Sequence, residues 1–151
     1  MIGITTDAID PPALLAEFIA GADGAGAIAS FTGVVRGLND GGPVDRLMLD
    51  FHERMTPAAL EQIAAEASAR FALSAIAIVH RVGDVFPGQP IVFVAAAAAH
   101  RRAAFDAVDY AMDRIKNDAP FWKCETRAGR DHWIEARASD RHDLVRWEDK
   151  E

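Results

Sequence analysis

"IVFVAAAAAH", residues 91–100, can be read in two ways, and the choice between them sets the fold. Five consecutive alanines favour helix, whereas Ile91, Val92, Phe93 and Val94 favour a strand. The preceding "GDVFPGQP", residues 83–90, is a Gly- and Pro-built turn, and before it "SAIAIVHR", residues 74–81, is a second strand-like run. A strand leading out of a turn is the consistent reading, so the alanines lie in a sheet that runs up to His100. Residues 100–118 then give the longest helical pattern, with Ala104, Val108, Ala111, Met112 and Ile115 on one face, and Pro120 prevents its continuation. Beyond it, "FWKCETR", the turn "AGRD" and "HWIEAR", ending at Arg137, read as a hairpin.

Upstream, Asp10 before Pro11 and Pro12 marks a helix start, with Leu14, Leu15, Phe18 and Ile19 as its apolar face and Gly21 as its stop. "GAGAIASFTGVVR" reads as a strand of small residues and "GLNDGGP", residues 37–43, as an exposed, mobile loop. In "VDRLMLDFH" Leu47, Leu49 and Phe51 alternate with Met48, Asp50 and His52, the period of a half-buried strand. Thr56 and Pro57 open a second helix striped by Leu60, Ile63, Ala64, Ala67 and Phe71. Helices and strands mix without a regular βαβ alternation. The expectation is one α+β domain over residues 1–151, with a largely antiparallel sheet and about three helices.

The formal net charge of −7 argues against a general nucleic-acid binder, which needs broad basic faces. Any anion site must therefore be local. Cys124 is the only cysteine, so no intrachain disulfide forms and a reducing compartment fits. "MIGITTDAID" has neither the basic residues nor the apolar run of a signal peptide. "IVFVAAAAA" is about half of what a membrane-spanning helix requires. A soluble cytoplasmic protein is expected, without membrane or nucleic-acid partners. The histidines at 52, 80, 100, 132 and 142 show no helical metal-ligand pair, and no metal or cofactor is expected.

Positive charge is written almost wholly as arginine: thirteen arginines against three lysines, two of which bracket "KNDAPFWK", residues 116–123. Lys116 lies in the last turn of its helix, where a cation interacts favourably with the carbonyl end of the dipole. Lys123 lies between Trp122 and Cys124 on a strand. A lysine in partly apolar surroundings or near another cation has a lowered pKa and becomes a usable nucleophile or acid/base group. In "HRRAAF" His100, Arg101 and Arg102 oppose the dipole at a helix N-terminus, which either a bound anion or acidic neighbours and solvent would offset. Arg36 and Arg137 are, on spacing alone, solvated surface groups. Cys124 is either a nucleophile or a small buried hydrophobe.

Together "FTGVVRG", "MTPAAL", "IVHRVGDVFPGQPIVFV", "AHRRAAF", "MDRIKNDAPFWKCE" and "WIEAR" resemble the large, catalytic subunit of molybdopterin synthase, the MoaE family. The resemblance implies a hammerhead-type α+β fold. It also implies sulfur transfer from the C-terminal Gly-Gly thiocarboxylate of a small ubiquitin-like subunit to cyclic pyranopterin monophosphate, forming the dithiolene of molybdopterin. A homodimer at the centre of a heterotetramer is implied too. By motif, Lys116 and Lys123 correspond to the catalytic pair; Arg36, His100, Arg101 and Arg137 to the anion and substrate shell; Phe31 and Met112 to pocket lining. Two positions depart from the family pattern. His52 replaces a usual aromatic, and Cys124 replaces a second basic residue after the lysine.

His100 and Lys116 are roughly 24 Å apart along a helix rising about 1.5 Å per residue, so one small pocket does not hold both from one chain. A two-fold partner is expected to supply His100 and Arg101 to the pocket holding Lys116 and Lys123. The rival readings are a Cys124-dependent persulfide sulfurtransferase and a non-catalytic phosphate-binding or adaptor module.

Overall fold

Residues Pro90–Ala98 form a strand, and it lies inside the molecule rather than at an edge. The structure is a computed structural model that describes residues 1–148. Along the chain the elements are β1 (Ile2–Thr5), α1 (Pro11–Gly21), β2 (Ala27–Val34), β3 (Leu38–Asn39), β4 (Gly42–Pro43), β5 (Arg46–Phe51) and α2 (Met55–Phe71). They continue with β6 (Ala75–Arg81), β7 (Gly83–Val85), β8 (Pro90–Ala98), α3 (Arg101–Asp118), β9 (Phe121–Arg127), β10 (Arg130–Ile134) and α4 (Ala138–Val145).

One sheet has the order β1-β6-β8-β2, antiparallel except for the parallel pair of β1 with β6. The side chains of β8 alternate between two cores. Val92, Val94, Ala96 and Ala98 pack with Leu60 and Ile63 of α2 and Ala104, Ala107 and Ala111 of α3. Phe93, Ala95 and Ala97 pack with Ile9 and Phe18 on the α1 side. A strand covered on both faces reads as a continuous apolar run, which is why its sequence lacks polar alternation. Alanine is small enough for α3 to lie close over the sheet.

The second sheet has the order β10-β9-β5-β7 and is wholly antiparallel. β6 hands over to it through Val82, with Gly83 at φ 79 making the turn. Val82 and Val85 pack there with Val35, Leu47 and Leu49. His80 of the first sheet stacks on Phe121 of the second, ring centroids 4.1 Å apart, so the two rings form a joint between the sheets. The β9–β10 hairpin closes through Ala128 and Gly129 at φ 49 and 72, the pair of positive angles that a two-residue turn requires.

The α+β class and the mainly antiparallel pairing agree with the sequence reading, but the described residues form four helices rather than about three. The short strand at Ile2–Thr5 and the helix at Ala138–Val145 were not expected. The latter buries no residue and carries no apolar stripe, so periodicity has nothing to register. Segment 37–43 is not a plain loop: it contains the β3–β4 pair. The Asn39 amide donates to Glu125, and the Arg127 guanidinium lies on Gly41, where a Cβ would stand 1.1 Å from Nη1. Arg137 does not continue the hairpin strand, which ends at Ile134, but precedes α4 as its N-cap residue.

Candidate functional site

The turn at Pro120 brings the end of α3 against the start of β9. Phe121 N–H donates to the Ala119 carbonyl at 2.9 Å, and the buried Thr56 hydroxyl donates to the Pro120 carbonyl at 2.8 Å. That hydroxyl also accepts from the His52 N–H at 2.9 Å, while His52 Nδ1 accepts from the N–H groups of Arg54 and Met55. His52 therefore caps the start of α2 and secures the residue that holds the Pro120 turn. A hydrogen-bonding ring at this position does what a plain aromatic could not.

Along β9, Phe121, Lys123 and Glu125 face a cleft of about 710 Å³, while Cys124 is buried on the opposite face between its cross-strand neighbours Met48 and Trp133. Lys116 enters the same cleft from α3, and Phe31, Arg36 and Arg137 also line it. Phe31 and Lys116 continue into two smaller adjoining cavities of about 370 and 190 Å³, both lined by Met112. Four of the expected cations and both expected apolar residues are thus brought together. His100 and Arg101 are not: they stand exposed at the far end of α3, and the His100 side chain makes no capping bond there. The neighbouring Arg102 takes the acidic-neighbour solution, pairing with Asp106 at 3.9 Å.

The two lysines have unlike surroundings. Lys116 is exposed, with Nζ 3.3 Å from the Asp140 carboxylate. Lys123 is half-buried, and its pKa is pushed below the ordinary lysine range. Desolvation is the main cause; the charges of Lys116 and Arg137 add to it, and Asp140 opposes it. Beneath them His80 is held neutral, its pKa lowered to about 4, first by burial and further by the Lys123 charge, against the Arg81 carbonyl. Because a carbonyl only accepts, the 2.9 Å contact from Nδ1 to Arg81 O puts the ring proton on Nδ1.

A sequence profile described as "MoaE protein" matches residues 4–118, from β1 to the end of α3. The chain belongs to the MoaE family. It is 45% identical over 148 residues to the molybdopterin synthase catalytic subunit of Pseudomonas aeruginosa, covering 98% of this chain and 99% of that one. The corresponding subunit of Caulobacter vibrioides is also 45% identical, with coverage of 98% and 97%. Among solved structures, the molybdopterin cofactor biosynthesis protein E of Burkholderia multivorans superposes with a TM-score of 0.82 at 43% identity, covering 97% of this chain and 95% of that one. The MoaE chain is accordingly an enzyme subunit, as the motifs lead one to expect. No helix among its described residues is long and apolar enough to cross a membrane.

Several contributors to the MoaE cleft escaped the sequence reading, Glu135, Ser139 and Asp143 among them. Glu125 and Asn39 line it together, and Asp140 lines it from α4. Glu125 lies two residues beyond Lys123 on a strand, so period-2 spacing alone puts both on one face. Asn39 and Asp140 leave no such signal, because tertiary approach brings them in.

Proposed function

We propose that this chain transfers sulfur from the C-terminal thiocarboxylate of a small ubiquitin-like partner subunit to cyclic pyranopterin monophosphate, building the dithiolene of molybdopterin. The observation that carries this reading is the unequal lysine pair facing one cleft across the Pro120 turn. Attack on a thiocarboxylate, and release of its carboxylate after sulfur departs, develop negative charge beside a fixed ammonium. Loss of water from the pterin side chain needs a group that gives and takes a proton near neutral pH, and a lysine with depressed pKa suits it. Arg36 and Arg137 offer forked donors to the substrate phosphate. The cleft is open to an extended Gly-Gly tail, with Phe31 on its apolar side and Met112 lining the two adjoining cavities.

Two chains share each site in this proposal. His100 and Arg101 are exposed on α3, away from their own cleft, and a two-fold partner would present them to the other chain's Lys116 and Lys123. The working assembly is a homodimer flanked by two small subunits. Cofactors are not required for the step.

Reconstitution with thiocarboxylated small subunit and pterin substrate tests the reading. Lys116→Ala and Lys123→Ala should each reduce dithiolene product by about 100-fold or more while the fold is retained. Mixed dimers of Lys116→Ala with His100→Ala chains should regain one intact site; no recovery in verified mixed dimers would sink the shared site. Cys124→Ser should keep near-normal turnover, since the thiol is buried on the face of β9 away from the cleft. A persulfide carrier would lose activity there, and an adaptor would bind pterin yet release no product.

A further inference from the structure

Among the described residues one carboxylate forms an ion pair with the lysine pair, and it does so with only one of them. Asp140 Oδ1 is 3.3 Å from Lys116 Nζ, and the Asp140 side chain is only 16% exposed. Among the described residues the Lys123 side chain has no hydrogen bond and no carboxylate within ion-pair distance, although it lines both the main cleft and the 190 Å³ cavity. Asp140 is not placed by chance contact. Its backbone carbonyl accepts from Asn117 Nδ2 at 2.8 Å, and that amide also binds the Asp113 carbonyl one turn earlier on α3. At the other end of α4, Arg146 donates to Asp109 at 2.8 Å and Asp113 at 2.6 Å, and Trp147 Nε1 donates to Asp113 at 2.7 Å. Trp147 then packs edge-on against Phe71 and Tyr110. A helix that buries nothing of its own is tied to α3 at both ends, and its N-terminal turn carries the carboxylate into the cleft.

We infer that Asp140 is a positioning residue that divides the lysine pair into a standing ammonium, Lys116, and a proton carrier, Lys123. One carboxylate compensates one of two neighbouring cations, and the half-buried, uncompensated one yields its proton more readily. The cations facing Lys123 disfavour its charge, while the carboxylates of Glu125, Glu135, Asp140 and Asp143 also line the cleft. Lys116 from α3 and Arg137 from before α4 disfavour its charge, and Arg36 adds a third cation on the cleft wall. His80 from β6 is neutral. Glu125, on the strand of Lys123 itself, is engaged by Asn39 and Arg127. Among the described residues Asp140 is the carboxylate that pairs with Lys116 and also bears on Lys123. As a free amine Lys123 takes one proton onto Nζ and returns it from the ammonium, with no other bond made or broken on the side chain. The inference rests on the sulfur-transfer reading only for the use made of that proton.

The chain has three lysines, Lys116, Lys123 and Lys150, so protein labelled with ¹³C at lysine Cε gives three resonances that single arginine substitutions assign. The Lys123 signal should titrate below the ordinary lysine range in the wild-type chain. Lys116→Met, removing the neighbouring cation, should raise its midpoint, and Asp140→Asn, removing the shared anion, should lower it. Each shift should be roughly half a pH unit or more. Asp140→Glu should restore the wild-type midpoint, which separates lost charge from a loosened α4. In turnover assays the acid limb of the pH profile should move with the Lys123 midpoint in each variant that stays active. A midpoint that stays put in Asp140→Asn, that moves the same way in both variants, or that Asp140→Glu fails to restore would overturn the inference. The titrations need no substrate, so a wild-type chain inactive with thiocarboxylated partner would count against the sulfur-transfer reading while leaving the lysine assignment to be judged by its own data.

Discussion

The two four-stranded sheets differ in what their faces touch. In the sheet built on β8 both faces are covered, by α2 and α3 on one side and α1 on the other, and Val94, Ala95, Ala96 and Ala97 have no accessible surface. In the sheet built on β9 one edge, β10, is exposed at every residue, with Trp133 65% accessible, and Trp122 of β9 is 48% accessible. The first sheet is mainly a scaffold whose β8 side chains fill space, with Phe31 of β2 and His80 of β6 reaching the cleft and its adjoining cavity. The second presents side chains to solvent and to the cleft, and its interior is confined to the small cluster around Leu49 and Val85. The candidate chemistry lies where they meet, along β9 above His80.

The comparison breaks if the scaffold sheet tolerates damage. Phe93 is 1% exposed in the α1-side core, and Phe93→Ala should cost about 4 kcal/mol in urea unfolding, the largest effect expected here. The joint between the sheets should show itself through pH. His80 titrates near pH 4 when folded, against 6.5 ordinarily, so between those values the unfolded chain binds a proton that the folded chain refuses. Stability should therefore fall as pH drops from about 6.5 toward 4, by roughly 3 kcal/mol, and this group should contribute no pH dependence above that window. His80→Gln should remove that acid slope in paired unfolding curves at neutral and acid pH; an unchanged slope would mean that His80 is not the buried neutral base described. At the other extreme, Trp133→Ser on the exposed edge should change unfolding free energy by no more than about 0.5 kcal/mol. A larger loss would show that the outer sheet shares in the core after all.

Much of the scaffold was legible because its signals are local. Ile-Val-Phe-Val before the alanines, the Gly-Pro turns, the Asp10 cap and the Pro120 stop all act within a few residues, and each stands where the sequence puts it. The scarcity of lysine and the helix end drew attention to the lysine pair, but its role came only from the family resemblance. Helix α4 was not legible, since its hold comes from Arg146 and Trp147 reaching Asp113, thirty-odd residues away in sequence. For the same reason Asp140 could not be seen beside Lys116, nor Asn39 beside Glu125. The strength of the His80–Phe121 stack is equally invisible in a string, because the residues belong to different sheets. His52, an oddity when set against the family pattern, becomes intelligible only as a cap that also steadies Thr56.

The alanines of β8 also constrain how the chain can change over generations. Ala95, Ala96 and Ala97 are each fully enclosed, so any larger side chain must displace a neighbour. Glycine, the one smaller residue, would weaken the strand by roughly 0.5 to 1 kcal/mol. Mutation at these positions is closed in both directions. Any drift in this protein must then be taken up elsewhere, on the outer sheet and around the cleft, where changes of substrate handling or partner fit are free to arise without disturbing the frame on which α3 rests.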